Sequence, residues 1–180
     1  MTSPRSTALV DRIAAAIRVV PDFPSPGIMF QDVTPVLGDA ELFRASIAAL
    51  AEPWRGAGVT HVAGIESRGF IFGSPVAVEL GAGFIPIRKP GKLPFERTGQ
   101  EYALEYGTGR LEMHVDACPA SSRVLVVDDV LATGGTASAA CALIEGVGGE
   151  VVGCAFLLSI ASLDGSERVK NRRTAMLIVT

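Results

Sequence analysis

The run V-L-V-V-D-D-V-L-A-T-G-G-T, residues Val124–Thr136, decides the fold. Four apolar residues lead into two adjacent aspartates and then into a loop of small residues. An unbroken apolar run marks a strand buried on both faces, which predicts a strand over Val124–Val127. Adjacent carboxylates repel each other and are costly to bury, so they belong at the carboxyl end of that strand. The loop Ala132-Thr133-Gly134-Gly135-Thr136 offers two glycines and two hydroxyls, and a helical pattern follows over Thr136–Gly146 with Ala140, Cys141 and Ile144 inward. Successive backbone N–H groups in such a turn can converge on an anion, with the helix dipole behind them. The turn lacks the Gly-Lys-Ser/Thr ending of a triphosphate loop, so a phosphate monoester suits it better. Carboxylates beside a phosphate repel it unless something lies between them. Vicinal hydroxyls can donate to them, and a divalent cation also offsets their charge. Ribose 5-phosphate has its phosphate at one end and two hydroxyls about one ring away.

Working outward, strands and helices alternate. Leu9, Ile13, Ile17 and Val20 recur at helical spacing, which predicts an N-terminal surface helix ended by Pro21. Its charges Asp11, Arg12 and Arg18 exclude a signal-peptide core or membrane span. P-D-F-P-S-P-G-I-M-F-Q-D-V-T-P, with four prolines and a glycine, reads as an extended arm. Asp39 is placed to cap a helix reaching about Trp54. Val59–Ile65 reads as a strand, followed by a helix from about Gly69 to Leu80 closed by Gly81, and Gly83–Ile87 as another strand. Tyr102–Tyr106 and Leu111–Val115 alternate around Gly107-Thr108-Gly109 as a hairpin. Val151–Leu158 and Ala175–Val179 complete the set. Apolar strands alternating with helices predict an α/β fold, a mainly parallel sheet flanked by helices, in one domain over residues 1–180. Ligands in such sheets bind where strands end and loops begin.

The chain has 180 residues, 48% hydrophobic and 19% charged, enough for a substantial core and too apolar for general disorder. A net charge of −3 provides no global basic field for nucleic acid, so an anionic ligand must be held by local groups. Cys118, Cys141 and Cys154 have no metal-like spacing and read as small buried hydrophobes in a reducing cytoplasm. His61 and His114 lack a nucleophile or metal partner nearby in sequence and read as structural or solvated.

Val124–Thr136 resembles the phosphoribosyl-pyrophosphate signature of the type I phosphoribosyltransferases. F-P-S-P-G-I-M-F-Q-D-V-T-P, G-I-E-S-R-G-F-I-F-G, R-K-P-G-K-L-P and E-Y-A-L-E-Y-G, in that order, narrow the resemblance to the adenine-using branch of that family. It implies the type I fold with a flexible hairpin flap and an N-terminal hood, a homodimer, and no partner beyond small-molecule substrates. The implied reaction is pentosyl transfer in purine salvage: adenine and phosphoribosyl pyrophosphate give AMP and diphosphate with Mg2+.

The resemblance also assigns residues. Asp128 and Asp129 take the ribose hydroxyls, and Ala132, Thr133, Gly134, Gly135 and Thr136 the 5-phosphate. Ser67 and Arg68, in a turn between strand and helix, take the pyrophosphate, with Arg88, Lys89 and Lys92 adding cations around Pro90-Gly91. Glu105, with Tyr106 beside it on the flap, matches the acid–base group that acts on the purine. Phe30 and Ile160 sandwich the base, and the backbone around Met29 and Gln31 meets its polar edge. No strong direct metal ligand is expected: the ion rides on the substrate, with Asp128 and Asp129 able to reach it through water. Gln31 stands where many relatives are basic, Ser159 where they are often acidic, and the tail beyond Leu163 matches less closely. Two other readings share the sugar-phosphate site: a transferase for guanine, hypoxanthine or xanthine, and a non-enzymatic phosphoribosyl-pyrophosphate sensor. A sensor controlling transcription would usually carry a basic DNA-binding module, and the N-terminal helix is too short to supply one.

Overall fold

The structure is a computed structural model that describes residues 4–103 and 107–180. It divides into two compact units, residues 1–49 and 50–180.

In the first unit, helix α1 (Pro4–Ala16) is followed by a short antiparallel pair, β1 (Arg18–Val20) and β2 (Phe30–Asp32), in which Val20 lies opposite Phe30. This corrects two expectations. The first helix stops at Ala16 rather than reaching Val20, because the β-branched pair Val19-Val20 precedes Pro21, which disfavours helix in the residue before it. The arm is not extended throughout but folds back on itself. Asp22 and Gly27 take positive φ, 56° and 87°, and the Asp22 carboxylate accepts the Gly27 N–H at 2.7 Å. Helix α2 (Thr34–Gly38) places Pro35 in its first turn, where the missing N–H costs nothing. Asp39 caps α3 (Ala40–Ala51) as expected, its Oδ1 accepting the N–H groups of Glu41 and Leu42 at 2.9 and 3.0 Å. The helix gives way at Ala51 to a 3-10 turn, Glu52–Trp54, that contains Pro53.

The second unit is built on a five-stranded parallel sheet. Its strands are β3 (His61–Ile65), β4 (Gly83–Ile87), β7 (Arg123–Leu131), β8 (Glu150–Ser159) and β9 (Thr174–Val179), in the order β4-β3-β7-β8-β9. Helix α4 (Arg68–Leu80) links β3 to β4, and α5 (Gly135–Gly146) links β7 to β8. Gly81 closes α4 in the left-handed conformation, φ 65°. The order of strands reverses between β3 and β7, and the crevice beyond the carboxyl ends of those two strands is the usual ligand position in such sheets.

Val124–Val127 are fully buried, and Val124 and Val126 share one core cluster with Ile85, Ile87, Ile144, Cys141, Cys154 and Phe156. Each large aliphatic side chain removed from water there contributes on the order of 1.5–3 kcal/mol, the main force holding the layers together. All three cysteines are buried and free.

Two elements differ from the sequence pattern. Strand β7 does not end at the aspartates. Its pairing with β3 stops at Gly64–Val127, but its pairing with β8 runs on to Leu131–Ser159. Asp128 and Asp129 are therefore strand residues with a partner strand on one side only. The hairpin, β5 (Arg97–Ala103) with β6 (Thr108–His114), starts earlier than expected and pairs Ala103 with Thr108 and Tyr102 with Gly109. Thr108 and Gly109 belong to a strand because Gly109 has no side chain to collide with Tyr102: a Cβ there would lie 2.7 Å from the Tyr102 hydroxyl. Among the described residues, no helix is long and apolar enough to cross a membrane.

Candidate active site

Three segments of the second unit meet at the reversal of strand order. The first is the turn after β3. Arg68 opens α4, and its Nε donates to Oδ2 of Asp129 on β7. Gly69 follows because no other residue fits: a Cβ there would stand 2.7 Å from Asp128 Oδ1 and 2.9 Å from the Val127 carbonyl oxygen. Ser67, Arg68 and the acid pair are thereby brought together.

The acid pair is electrostatically strained. Burial pushes the Asp128 carboxyl well above the usual carboxylate range, and the neighbouring Asp129 pushes it further. The Asp129 N–H donates to Asp128 Oδ1 at 3.0 Å and Arg68 offsets part of the charge, but burial prevails. Tyr102 of the hairpin is affected in turn: burial, then the charge of Asp128, raises its phenol.

Beyond the acids the chain enters the glycine turn. Gly134 takes φ 76° and precedes α5, whose first turn has no side-chain cap. The leading N–H groups of a helix have no intrahelical acceptor, so those of α5 face the turn as donors. A Cβ on Gly135 would lie 3.2 Å from both the Ala103 carbonyl oxygen and the Tyr102 ring, so the Tyr102–Ala103 end of the hairpin, opposite its Arg97–His114 base, sits directly over this turn. Ile160 directly follows β8, its N–H donating to the Leu131 carbonyl at 3.0 Å.

The second cationic segment is organised by a residue that sequence patterning did not single out. Glu66 Oε2 accepts Arg88 Nε at 3.2 Å and the Lys89 N–H at 3.0 Å. Burial alone would raise the Glu66 carboxyl, but the Lys89 N–H and the Arg88 guanidinium together hold it below its ordinary value. Arg88 Nη1 also donates to the Lys92 carbonyl at 3.2 Å, so the Arg88–Lys92 loop closes on itself. Glu112 of β6, 5% exposed, fixes the other side. It accepts the Gly91 N–H at 3.0 Å and lies 3.1 Å from Arg97 Nε and 3.6 Å from Arg110 Nε. A cluster of Arg88, Lys89 and Lys92 needs counter-charge to hold its shape, and that need was the signal for Glu66 in the sequence.

Met29, Phe30 and Gln31 belong to the first unit, where Met29 is exposed and Phe30 meets Phe23 edge to face at 5.0 Å. Glu105 and Tyr106 lie outside the described residues. His61 and His114 stay within local contacts: Thr60 Oγ1 is 3.0 Å from His61 Nδ1, and His114 Nε2 accepts the Phe95 N–H at 3.4 Å.

The second unit thus holds donors for one anion at the Thr133–Thr136 turn, two carboxylates beside them, and cations at Arg68 and in the Arg88–Lys92 loop. That arrangement can hold a sugar phosphate by both ends. The family described as phosphoribosyl transferase domain matches residues 38–178. The adenine phosphoribosyltransferase of Methylococcus capsulatus is 51% identical over 169 residues, which are 94% of this chain and 99% of that one. The crystal structure of adenine phosphoribosyltransferase from Rhodothermus marinus superposes with a TM-score of 0.93 at 50% identity, covering 97% of this chain and 99% of that one. The Saccharomyces cerevisiae adenine phosphoribosyltransferase, complexed with an imino-altritol bisphosphate and adenine, gives a TM-score of 0.90 at 36% identity, covering 95% and 99%.

Proposed function

The chain belongs to the phosphoribosyl transferase family, and we propose that it transfers the 5-phosphoribosyl group of phosphoribosyl pyrophosphate to N9 of adenine, yielding AMP and diphosphate. The observation that carries the reading is the continuity of β7: one strand leads from the buried core through Asp128 and Asp129 into the glycine turn, at the reversal of strand order.

In the reaction the N9–C1′ bond forms as the C1′–O bond to diphosphate breaks, through a sugar with cationic character. The turn from Ala132 to Thr136 holds the 5-phosphate through backbone N–H groups and the hydroxyls of Thr133 and Thr136. Asp128 and Asp129 accept from the ribose hydroxyls, and their charge favours the cationic sugar in the transition state. Ser67 and Arg68, with Arg88, Lys89 and Lys92, hold the leaving diphosphate. Phe30 and Ile160 are the residues we assign to the purine faces, with the backbone at Met29 and Gln31 for its edge. Glu105 exchanges a proton at N7 as N9 becomes bonded, a contribution on the order of 10²–10⁴-fold, with Tyr106 beside it. A flap over the site keeps water from the sugar cation.

Magnesium, when bound, neutralises charge on the diphosphate. The donor set suits an ion carried by the substrate: Asp129 Oδ2 is already engaged by Arg68, so the acid pair would reach the metal through water. Three buried free thiols fit a reducing cytoplasm, and we expect a homodimer, which sedimentation would test. To test the base, the protein is incubated with the donor, magnesium and each of adenine, hypoxanthine, guanine and xanthine. Nucleotide should form fastest from adenine by a wide margin, because a 6-oxo purine presents an acceptor where adenine presents a donor. Faster turnover of a 6-oxo purine would contradict the assignment.

A further inference from the structure

We propose that Arg168 is the cation that holds the 5-phosphate of the ribosyl donor. The proposal rests on the reading that the turn from Ala132 to Thr136 binds that phosphate, and it supplies what the turn lacks. A phosphate monoester carries nearly two negative charges at neutral pH. Between Ala132 and Thr136 there is no basic residue, and Asp128 and Asp129 lie just before it. The Arg68 Nε is committed to Asp129. Backbone dipoles and the neutral hydroxyls of Thr133 and Thr136 would have to hold a dianion beside an acid pair, with no cation in the turn.

The short 3-10 turn Gly165–Val169 is pressed against this loop. The contact is backbone on backbone, and both sides need glycine. A Cβ on Gly165 would run into the Ala132 carbonyl and stand 2.9 Å from the Gly134 nitrogen, and one on Gly134 would run into the Gly165 carbonyl. On the far side Val169 is buried, 1% exposed. With Gly165 locked to the loop and Val169 anchored in the core, Arg168 between them is held in place. Its Cβ lies 3.1 Å from where a Gly134 Cβ would be, and its Nη1 3.8 Å from where a Gly135 Cβ would be. The guanidinium therefore stands at the first residue of α5, beside the orphan N–H groups. The side chain is exposed, and among the described residues no carboxylate pairs with it. A planar guanidinium offering parallel N–H groups is the usual partner for a phosphate in such a place. Arg168 does from a neighbouring turn what the lysine of a triphosphate loop does from within its own.

The ligand class is a sugar 5-phosphate, and the two ends of the donor can be tested apart. Ribose 5-phosphate and inorganic pyrophosphate are titrated separately into wild type, Arg168→Gln and Arg168→Lys by calorimetry. Arg168→Gln should bind ribose 5-phosphate about tenfold or more weakly while pyrophosphate affinity stays unchanged. Arg168→Lys should fall between the two. Melting temperatures should coincide, because the side chain is exposed and bonded to no other side chain; this separates a binding role from a structural one. If Arg168→Gln binds ribose 5-phosphate as tightly as wild type, or loses both ligands equally, the assignment of Arg168 is overturned. Failure of the wild type itself to bind ribose 5-phosphate would overturn the reading of the turn as well.

Discussion

Arg68 and Asp129, 61 residues apart in the chain, are joined by a charged hydrogen bond that ties the start of α4 to the acid pair of β7. The pairing is lopsided: the Asp129 side chain is 4% exposed and that of Arg68 46%. The carboxylate is locked in place while the guanidinium keeps a face toward solvent. The two ends of the sugar-phosphate site are thus linked before any substrate arrives, which lowers the cost of ordering them on binding.

Replacing Arg68 by glutamine leaves Asp129 buried without its cation. Because Arg68 is half exposed, the stability cost should be modest, about 1–2 kcal/mol by thermal or urea unfolding. Pyrophosphate affinity should fall by about tenfold or more. An unchanged melting curve would show that the bridge does not hold the site together.

Asp128→Asn should separate stability from function. The folded-state Asp128 carboxyl is raised above its unfolded value by burial and by Asp129. The native state therefore holds its proton to higher pH, and stability falls as pH rises from the unfolded value, about 3.9, through the raised folded one. At neutral pH the variant should be more stable than wild type, on the order of 0.5–2 kcal/mol, and the gain should vanish in acid. It should also bind ribose 5-phosphate more weakly. Equal stability of the two proteins from pH 4 to pH 8 would contradict the electrostatic picture.

Gly69→Ala tests the close approach of α4 to β7. The added Cβ would stand 2.7 Å from Asp128 Oδ1 and 2.9 Å from the Val127 oxygen, so the helix start must shift. The expected cost is about 1–3 kcal/mol, with weaker binding of the sugar phosphate. Wild-type stability and affinity would mean the contact is looser than described.

Glu105→Gln should lower turnover by about 10²–10⁴-fold with ribose 5-phosphate affinity intact, measured by single-turnover kinetics alongside calorimetry. Undiminished single-turnover rates would remove Glu105 from the chemistry.

Local sequence carried the elements whose physics is local. The apolar run Val124–Val127, the capping Asp39 and the left-handed Gly81 could be read directly, because periodicity, caps and glycine act over a few residues. The end of β7 could not: two aspartates look like a stop, yet Asp128–Phe156 and Leu131–Ser159 pairing with a distant strand carries β7 onward. The first helix failed for the same reason, since Arg18–Val20 pair with Phe30–Asp32 rather than continue a helical stripe. In the site, motif residues were legible and their supports were not. Glu66 and Glu112 act on a loop more than twenty residues away, and Tyr102 meets Gly135 only through the tertiary fold.

Phosphoribosyl transfer differs from donor binding and from donor hydrolysis in the stoichiometry of its products. With phosphoribosyl pyrophosphate, magnesium and adenine, initial rates of AMP and diphosphate formation should be equal, and omitting adenine should abolish diphosphate release. Diphosphate without AMP, or donor binding with neither product, would contradict the account.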